Sequence, residues 1–276
     1  MALFSKKKKK NNESSSAADD REILCDKLGF AASEAYKLLR ANIAFAIPGE
    51  EERCRIVGIT SSTRSEGKST TSVNLSYTLA QTGKRVLLVD CDMRIPTVGK
   101  KLSVHNSPGL SNFIAGQVDA GSALQESGYL KNWKILAAGD IPPNPSELLG
   151  SDRMKNRMDL FAKNFDYIIL DLPPINIVAD ALAVARIVDG IVMVVRQDFS
   201  DKKSVADAVN LLQMANLNIL GFVLTRASSR SGKYGRYNNY NKYSSYGYGY
   251  GYGYGYSYGD RKKITNEDTE TLARND

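Results

Sequence analysis

The chain predicts an α/β fold, a doubly wound and mostly parallel sheet, and two observations carry that prediction. Short, β-branched apolar runs recur between residues 55 and 226, and helical periodicities lie between most of them. Alternation of that kind builds a parallel sheet covered on both faces, with binding loops at the carboxyl ends of its strands. A chain of 276 residues, 42% apolar, can bury one sizeable core. Its two ends do not contribute to that core, because the first 20 or so residues and the last 50 or so carry almost no Val, Ile, Leu or Phe. The expected division is a disordered basic arm over 1–22, one folded domain over 23–228, and a disordered tyrosine-rich tail over 229–276.

Taken in order, Phe30 to Ile47 places Phe30, Ala31, Ala35, Leu38, Leu39, Ile43 and Ala46 at helical spacing, and Pro48–Gly49 stops it. RIVGIT (Arg55–Thr60) is a short buried strand running into a Ser/Gly loop. A helix through VNLSYTLAQTG follows and ends at Gly83. RVLLVD, YIILD, GIVMVVR from Gly190 and ILGFVLTR from Ile219 are further buried strands, and Trp133 opens a short WKIL strand as a core residue. Helical patterns cover Pro145–Lys163 and Ser200–Ala215, and His105, the single histidine, falls in a loop. From Tyr234 the character changes. Eleven tyrosines follow, spaced by three (Tyr234, Tyr237, Tyr240, Tyr243, Tyr246) and then by two, mostly alternating with glycine (Tyr248, Tyr250, Tyr252, Tyr254, Tyr256, Tyr258). Glycine at every second position holds no ordinary helix.

The net charge of +7 is concentrated at the ends, in Lys6–Lys10 and in Arg226, Arg230, Lys233, Arg236 and Lys242. With no nucleic-acid-reading motif beside those residues, nucleic acid is not expected as a partner. Cys25, Cys54 and Cys91 are odd in number and lack CxxC spacing, which argues against a disulfide framework or a zinc site. No apolar run reaches 18 residues, MALFSKKKKKNN lacks the apolar segment of a secretory signal, and Ala2 stands where myristoylation requires glycine. The expectation is a cytoplasmic protein.

The chemistry is concentrated in three places. TSSTRSEGKST (Thr60–Thr70) directly follows the first strand and opens the next helix. Its Gly67, Lys68 and Ser69 match the end of the P-loop pattern GxxxxGK[ST], in which backbone amides cradle phosphates, the lysine neutralises them and the hydroxyl ligates magnesium. Ser62 stands where the first glycine belongs. Arg64, Ser65, Glu66, Gly67, Lys68, Ser69 and Thr70 are therefore the candidate nucleotide-binding residues. VLLVDCDMR supplies Asp90 and Asp92 at period two, and YIILDLPP supplies Asp171 after four apolar residues. Strand-end aspartates also serve as plain helix caps, but three of them beside one phosphate loop suit a hard cation and its nucleotide.

These residues resemble the bacterial tyrosine kinases of capsule and exopolysaccharide synthesis over about residues 30 to 260. The resemblance rests on the Walker A segment, the second aspartate motif VLLVDCDMRIP (Val86–Pro96), the Walker B-like IILDLPP and the tyrosine cluster, in that order. PPNPSELL (Pro142–Leu149) and SEAYKLLRANI (Ser33–Ile43) are similar to further family motifs. The second normally reads Glu-x-x-Arg-x-x-Arg and serves subunit contact; Glu34, Lys37 and Arg40 occupy it here, and lysine gives up arginine's bidentate pairing. Ser65 takes a place where many members have glycine, which strains the loop.

The resemblance implies an ATP- and Mg²⁺-dependent protein-tyrosine kinase that phosphorylates its own tail, with Lys68, Asp90, Asp92 and Asp171 as catalytic residues, Asp90 as base, and Ser69, Asp92 and Asp171 toward the metal. The three aspartates can exchange roles without contradicting the sequence. It also implies a homo-oligomer, a membrane-bound activator, a tyrosine phosphatase, and a place at the inner face of the plasma membrane, where the lysine run can meet anionic lipid. Two rival readings share the motifs. One is a MinD/ParA-type switch ATPase, whose P-loop carries an extra lysine at the position of Thr63. The other is a nucleotide-gated scaffold with an adhesive Gly-Tyr tail.

Overall fold

The computed structural model describes residues 24–47 and 53–227. The basic arm, the tail and all eleven tail tyrosines lie outside the described residues. Seven strands form one sheet in the order β3-β4-β2-β5-β1-β6-β7. They are β1 (Arg55–Ser61), β2 (Val86–Asp90), β3 (Gln125–Glu126), β4 (Trp133–Leu136), β5 (Tyr167–Asp171), β6 (Gly190–Arg196) and β7 (Ile219–Thr225). All pairings are parallel except β3 with β4. The two-residue antiparallel edge strand β3 is too short to leave a sequence pattern.

Alternation along the strands assigns each face its helices. Val86 and Leu88 of β2, with Ile169 of β5 and Val192 of β6, face Ile43 of α1 (Phe30–Ala46), Val73, Leu75 and Leu79 of α2 (Lys68–Ala80), and Val98 and Leu102 of α3 (Val98–Leu102). Leu87 and Val89, with Ile168, Leu170, Ile191 and Met193, face the opposite layer. That layer holds α4 (Leu110–Ala115), α6 (Pro145–Leu149), α7 (Asp152–Ala162), α8 (Asp180–Ala183) and α9 (Lys202–Met214), while α5 (Ala120–Ala123) packs at its edge. Period-two side chains on strands buried on both sides produce these two cores, but β7, expected as a buried strand, lies at the sheet edge and leaves Phe222 and Leu224 exposed. Trp133 is fully enclosed, as its apolar strand predicts, and His105 lies in a loop.

The long helix expected over Pro145–Lys163 is two helices. Gly150 ends α6, and Ser151 starts α7 by accepting the Met154 amide at its side-chain oxygen, an N-cap that the apolar periodicity masked. At the middle of the sheet, β1 packs so tightly that a Cβ on Gly58 would lie 2.5 Å from Ile191 Cδ1. The phosphate-loop sequence leaves from the carboxyl end of this strand, between β5 and β6.

Candidate active site

Arg64 to Thr70 all line one cavity of about 900 Å³ at the carboxyl ends of the strands, together with Asp92, Arg94, Thr97, Lys101, Arg196 and Arg226. The loop that carries the first seven is built from backbone that most residues avoid. Ser65 has φ 65° and Gly67 φ 103°, both in the left-handed region that favours glycine. Ser65 therefore bears the strain its sequence position suggests. A Cβ at Gly67 would also press on Thr225, 3.2 Å away.

Ser62 answers for the missing first glycine. Its hydroxyl lies 2.9 and 3.1 Å from the two carboxylate oxygens of Glu66, which is completely buried. The Thr63 amide donates to the same carboxylate at 2.8 Å, and Ser200, from the loop after β6, donates as well. Thr225 Oγ1 at the end of β7 donates to the Glu66 carbonyl at 2.6 Å, and Arg196 reaches the Ser65 carbonyl at 3.1 Å. A glycine loop follows a phosphate by backbone freedom; this one is held in shape by a buried carboxylate ringed with donors.

Lys68 opens α2 and meets the aspartates. Its ammonium is 2.9 Å from Asp92 Oδ2, 3.8 Å from Asp171 Oδ1 and 3.4 Å from Ser69 Oγ. Burial works to lower the Lys68 pKa, but Asp171 and Asp92 outweigh it and hold the ammonium above its ordinary value, so it stays charged. Asp171 is wholly buried. Ser72 Oγ donates to its Oδ1 at 3.1 Å, while Oδ2 is enclosed with no hydrogen-bond partner. Burial pushes its pKa up against the pull of Lys68, Ser69 and Ser72.

Asp90 sits differently from its neighbours. It is fully buried and does not line the cavity. Its Oδ1 accepts the Asp92 amide at 3.1 Å, and its Oδ2 accepts the Thr97 and Val98 amides at 3.1 and 3.0 Å. Burial first, then the charge of Asp171, push it up to about 8 against the Val98 amide and Lys68. Its geometry is that of a clamp on the loop after β2. Asp92 lines the cavity instead, with Oδ2 on the Lys68 ammonium at 2.9 Å and Oδ1 accepting the Ile95 amide at 3.2 Å.

Of the residues that sequence did not single out, three form one cluster beside the site. Arg94 forks onto the buried Asp180, Nε to Oδ2 at 2.9 Å and Nη2 to Oδ1 at 3.1 Å, and Ser146 donates to the same carboxylate. Arg94 and Ser146 both lie inside motifs quoted above, and Asp180 has no local signal at all. On α1, Lys37 pairs with Glu34 at 2.8 Å, while Arg40 turns inward to the Thr78 carbonyl at 2.8 Å, at the end of α2. Cys54 and Cys91 are buried free thiols; burial pushes Cys54 up to about 12 and Cys91 well above the usual thiol range, so neither is a thiolate nucleophile. Among the described residues no helix is long and apolar enough to cross a membrane.

A family model described as an AAA domain matches residues 54–218. The tyrosine-protein kinase YwqD of Bacillus subtilis is 38% identical over 192 residues, which span 70% of this chain and 80% of that protein. The tyrosine-protein kinase CpsD of Streptococcus agalactiae is 33% identical over 210 residues, spanning 75% and 88%. The kinase domain of the Escherichia coli tyrosine kinase ETK superposes with a TM-score of 0.70 at 32% identity, covering 83% of this chain and 84% of that domain. The septum site-determining protein MinD of Pyrococcus horikoshii, complexed with Mg-ADP, superposes with a TM-score of 0.53 at 25% identity over 62% of this chain and 70% of its own.

Proposed function

The chain belongs to the bacterial tyrosine-protein kinases, and from that premise we propose that it transfers the γ-phosphoryl group of ATP to the tyrosines of its own 229–276 segment, on a neighbouring copy, in the service of capsular or exopolysaccharide synthesis. One observation carries the reading: Lys68 held between Asp92 and Asp171 at the floor of a cavity whose wall is the phosphate loop.

The amides of Ser65, Glu66, Gly67 and Ser69 hold the phosphates, and Lys68 leaves its carboxylates to neutralise the transferring group. The tyrosine hydroxyl, with an ordinary pKa of about 10, needs a proton acceptor. Asp90 is the base suggested by family resemblance, but its oxygens are committed to three amides. We assign the acceptor role to Asp92, the carboxylate on the cavity wall, and give Asp90 the task of holding the loop that carries it. Mg²⁺ fits the donor set of Ser69 and Asp171, since the partnerless Asp171 Oδ2 is an oxygen suited to a hard cation or its bound water; bound there it would screen the phosphates. MinD, a relative in fold, is complexed with Mg-ADP, which supports a magnesium nucleotide as the ligand of this fold. Thr63 stands where the switch ATPases carry their extra lysine, which favours the kinase over that rival.

Oligomer contact through the exposed Glu34–Lys37 pair on α1, a membrane-bound activator, a dedicated phosphatase and a site of action at the inner leaflet complete the reading. From Arg226, Tyr234 lies eight residues along and Tyr258 thirty-two, a reach of roughly 25 to 105 Å at about 3.3 Å per residue, so a neighbouring active site is accessible. The test is a mixture. A chain with all eleven tail tyrosines changed to phenylalanine is combined with a Lys68→Met chain, ATP and Mg²⁺. Transfer between copies puts phosphate on the Lys68→Met chain; a mixture in which that chain stays unmodified, while the wild-type chain alone is modified, contradicts it.

A further inference from the structure

Cations besides Lys68 line the cavity. Lys68 and the loop amides serve the phosphates, yet Arg94, Thr97 and Lys101, all from the segment that begins with Asp92, line the same cavity, and Lys101 reaches Thr70 Oγ1 at the edge of the phosphate loop at 3.4 Å. Three features mark them as a prepared anion site. Arg94 is fixed in place by the buried Asp180 through Nε and Nη2, so little side-chain entropy is lost when it meets a ligand. Thr97 Oγ1 is enclosed without a hydrogen-bond partner, a donor with no acceptor. The backbone between them is pinned, because Asp90 accepts the Thr97 and Val98 amides and Asp92 accepts that of Ile95.

We propose that Arg94, Thr97 and Lys101 bind the phosphate of a tyrosine already modified, two residues along the tail from the tyrosine being phosphorylated. This rests on the kinase reading and specifies its preferred substrate. The ligand follows from the tail's spacing. From Tyr246 to Tyr258 the tyrosines recur at every second residue. In an extended chain such neighbours share one face about 6.6 Å apart, so when one faces Asp92 the next faces the same wall. A phosphotyrosine brings about −1.5 to −2 charge and three acceptor oxygens, which match two cations and a hydroxyl. The alternating block from Tyr246 to Tyr258 carries no charged residue of its own, so before modification it offers this cationic wall no anion to hold. The first phosphate is therefore the slow one, and each later one on the alternating block is faster. In every round the bond from the γ-phosphorus to the ADP oxygen breaks, the bond to the phenolic oxygen forms, and the phenolic proton passes to Asp92. Tyrosines three apart, as in Tyr234–Tyr246, fall on opposite faces of an extended chain and gain nothing from the subsite.

The experiment compares peptides as substrates of the full-length chain with ATP and Mg²⁺. One pair spans residues 248–258 with Tyr252 as the sole acceptor and either phosphotyrosine or phenylalanine at position 254. A second pair spans residues 234–246 with Tyr240 as acceptor and the same choice at position 243. The phosphorylated member of the first pair should show a kcat/KM about tenfold higher, the second pair should show no preference, and Lys101→Gln should bring the first ratio down to within about twofold of unity. A first-pair ratio of one or less in the wild-type chain, or an equal preference in both pairs, overturns the proposal. Transfer to no peptide and none to the chain's own tail overturns the kinase reading beneath it, a distinct result.

Discussion

The two ends of the sheet use the same residue types to opposite effect. At the carboxyl ends, Asp90 and Asp171 are enclosed, crowd one another around a single buried lysine, and are pushed up by burial. At the amino ends, Asp166 just before β5 takes the Arg85 amide at 2.7 Å and its guanidinium at 2.7 and 3.3 Å, and Asp189 just before β6 takes Arg53 and the Ile56 amide. Burial works to raise Asp166, but its bonds from Arg85 prevail and hold it below the usual carboxylate range. One end ties strands together with individually paired, half-exposed charges. The other crowds three carboxylates, Asp90, Asp92 and Asp171, around the one Lys68 ammonium beside a cavity, which is what a site does and a scaffold avoids.

Matched substitutions at the two ends should separate these roles. Asp171→Asn should lower tail phosphorylation by about 10²- to 10³-fold, while denaturant unfolding shows a stability within about 1 kcal/mol of wild type, because a crowded buried charge has been removed. Asp166→Asn should do the reverse, leaving phosphorylation unchanged and lowering stability by about 1–2 kcal/mol. If both variants lose activity and stability together, the contrast fails.

A smaller effect is expected at the seam between the site and its support. Arg94→Lys keeps the charge but gives up the fork onto Asp180. We expect about a tenfold fall in kcat/KM for tail tyrosines, with nucleotide affinity, measured by calorimetry, nearly unchanged.

The smallest effect is acid sensitivity at the amino end. Because the folded pKa of Asp166 lies below its ordinary value of 3.8, the stability it contributes is present above that value and is lost as the pH falls through the folded one. Urea unfolding of the wild type between about pH 4 and pH 2 should therefore lose a component that Asp166→Asn lacks; parallel profiles for the two would remove Asp166 from the account.

How much of this was legible depended on distance along the chain. Four of the main parallel strands, β1, β2, β5 and β6, and the phosphate loop announce themselves in runs of five to ten residues, because burial on both faces and the strand–loop–helix junction are local patterns, whereas the equally apolar run of β7 belongs to an edge strand. Asp90 and Asp92 were found the same way, but spacing could not say that one clamps a loop and the other lines a cavity, since that follows from which amides the loop presents. The short helices α3, α4 and α5 left no pattern because four to six residues complete barely one turn. Arg94 with Asp180 is a contact across 86 residues and Ser200 with Glu66 one across 134; no period reaches that far. Ser62 is the instructive case. Read as a residue, it is a missing glycine. Placed in the structure, it is the first donor to the buried carboxylate that holds the loop.

The most direct test of the central claim is intact-mass measurement of the purified chain after incubation with ATP and Mg²⁺, beside a Lys68→Met variant shown to be folded by its circular dichroism spectrum. Kinase activity on the tail gives several additions of about 80 Da, one per phosphate, mapped to the tail of the wild type and absent from the variant. An unmodified wild-type chain with nucleotide bound, or equal modification of both chains, would contradict it.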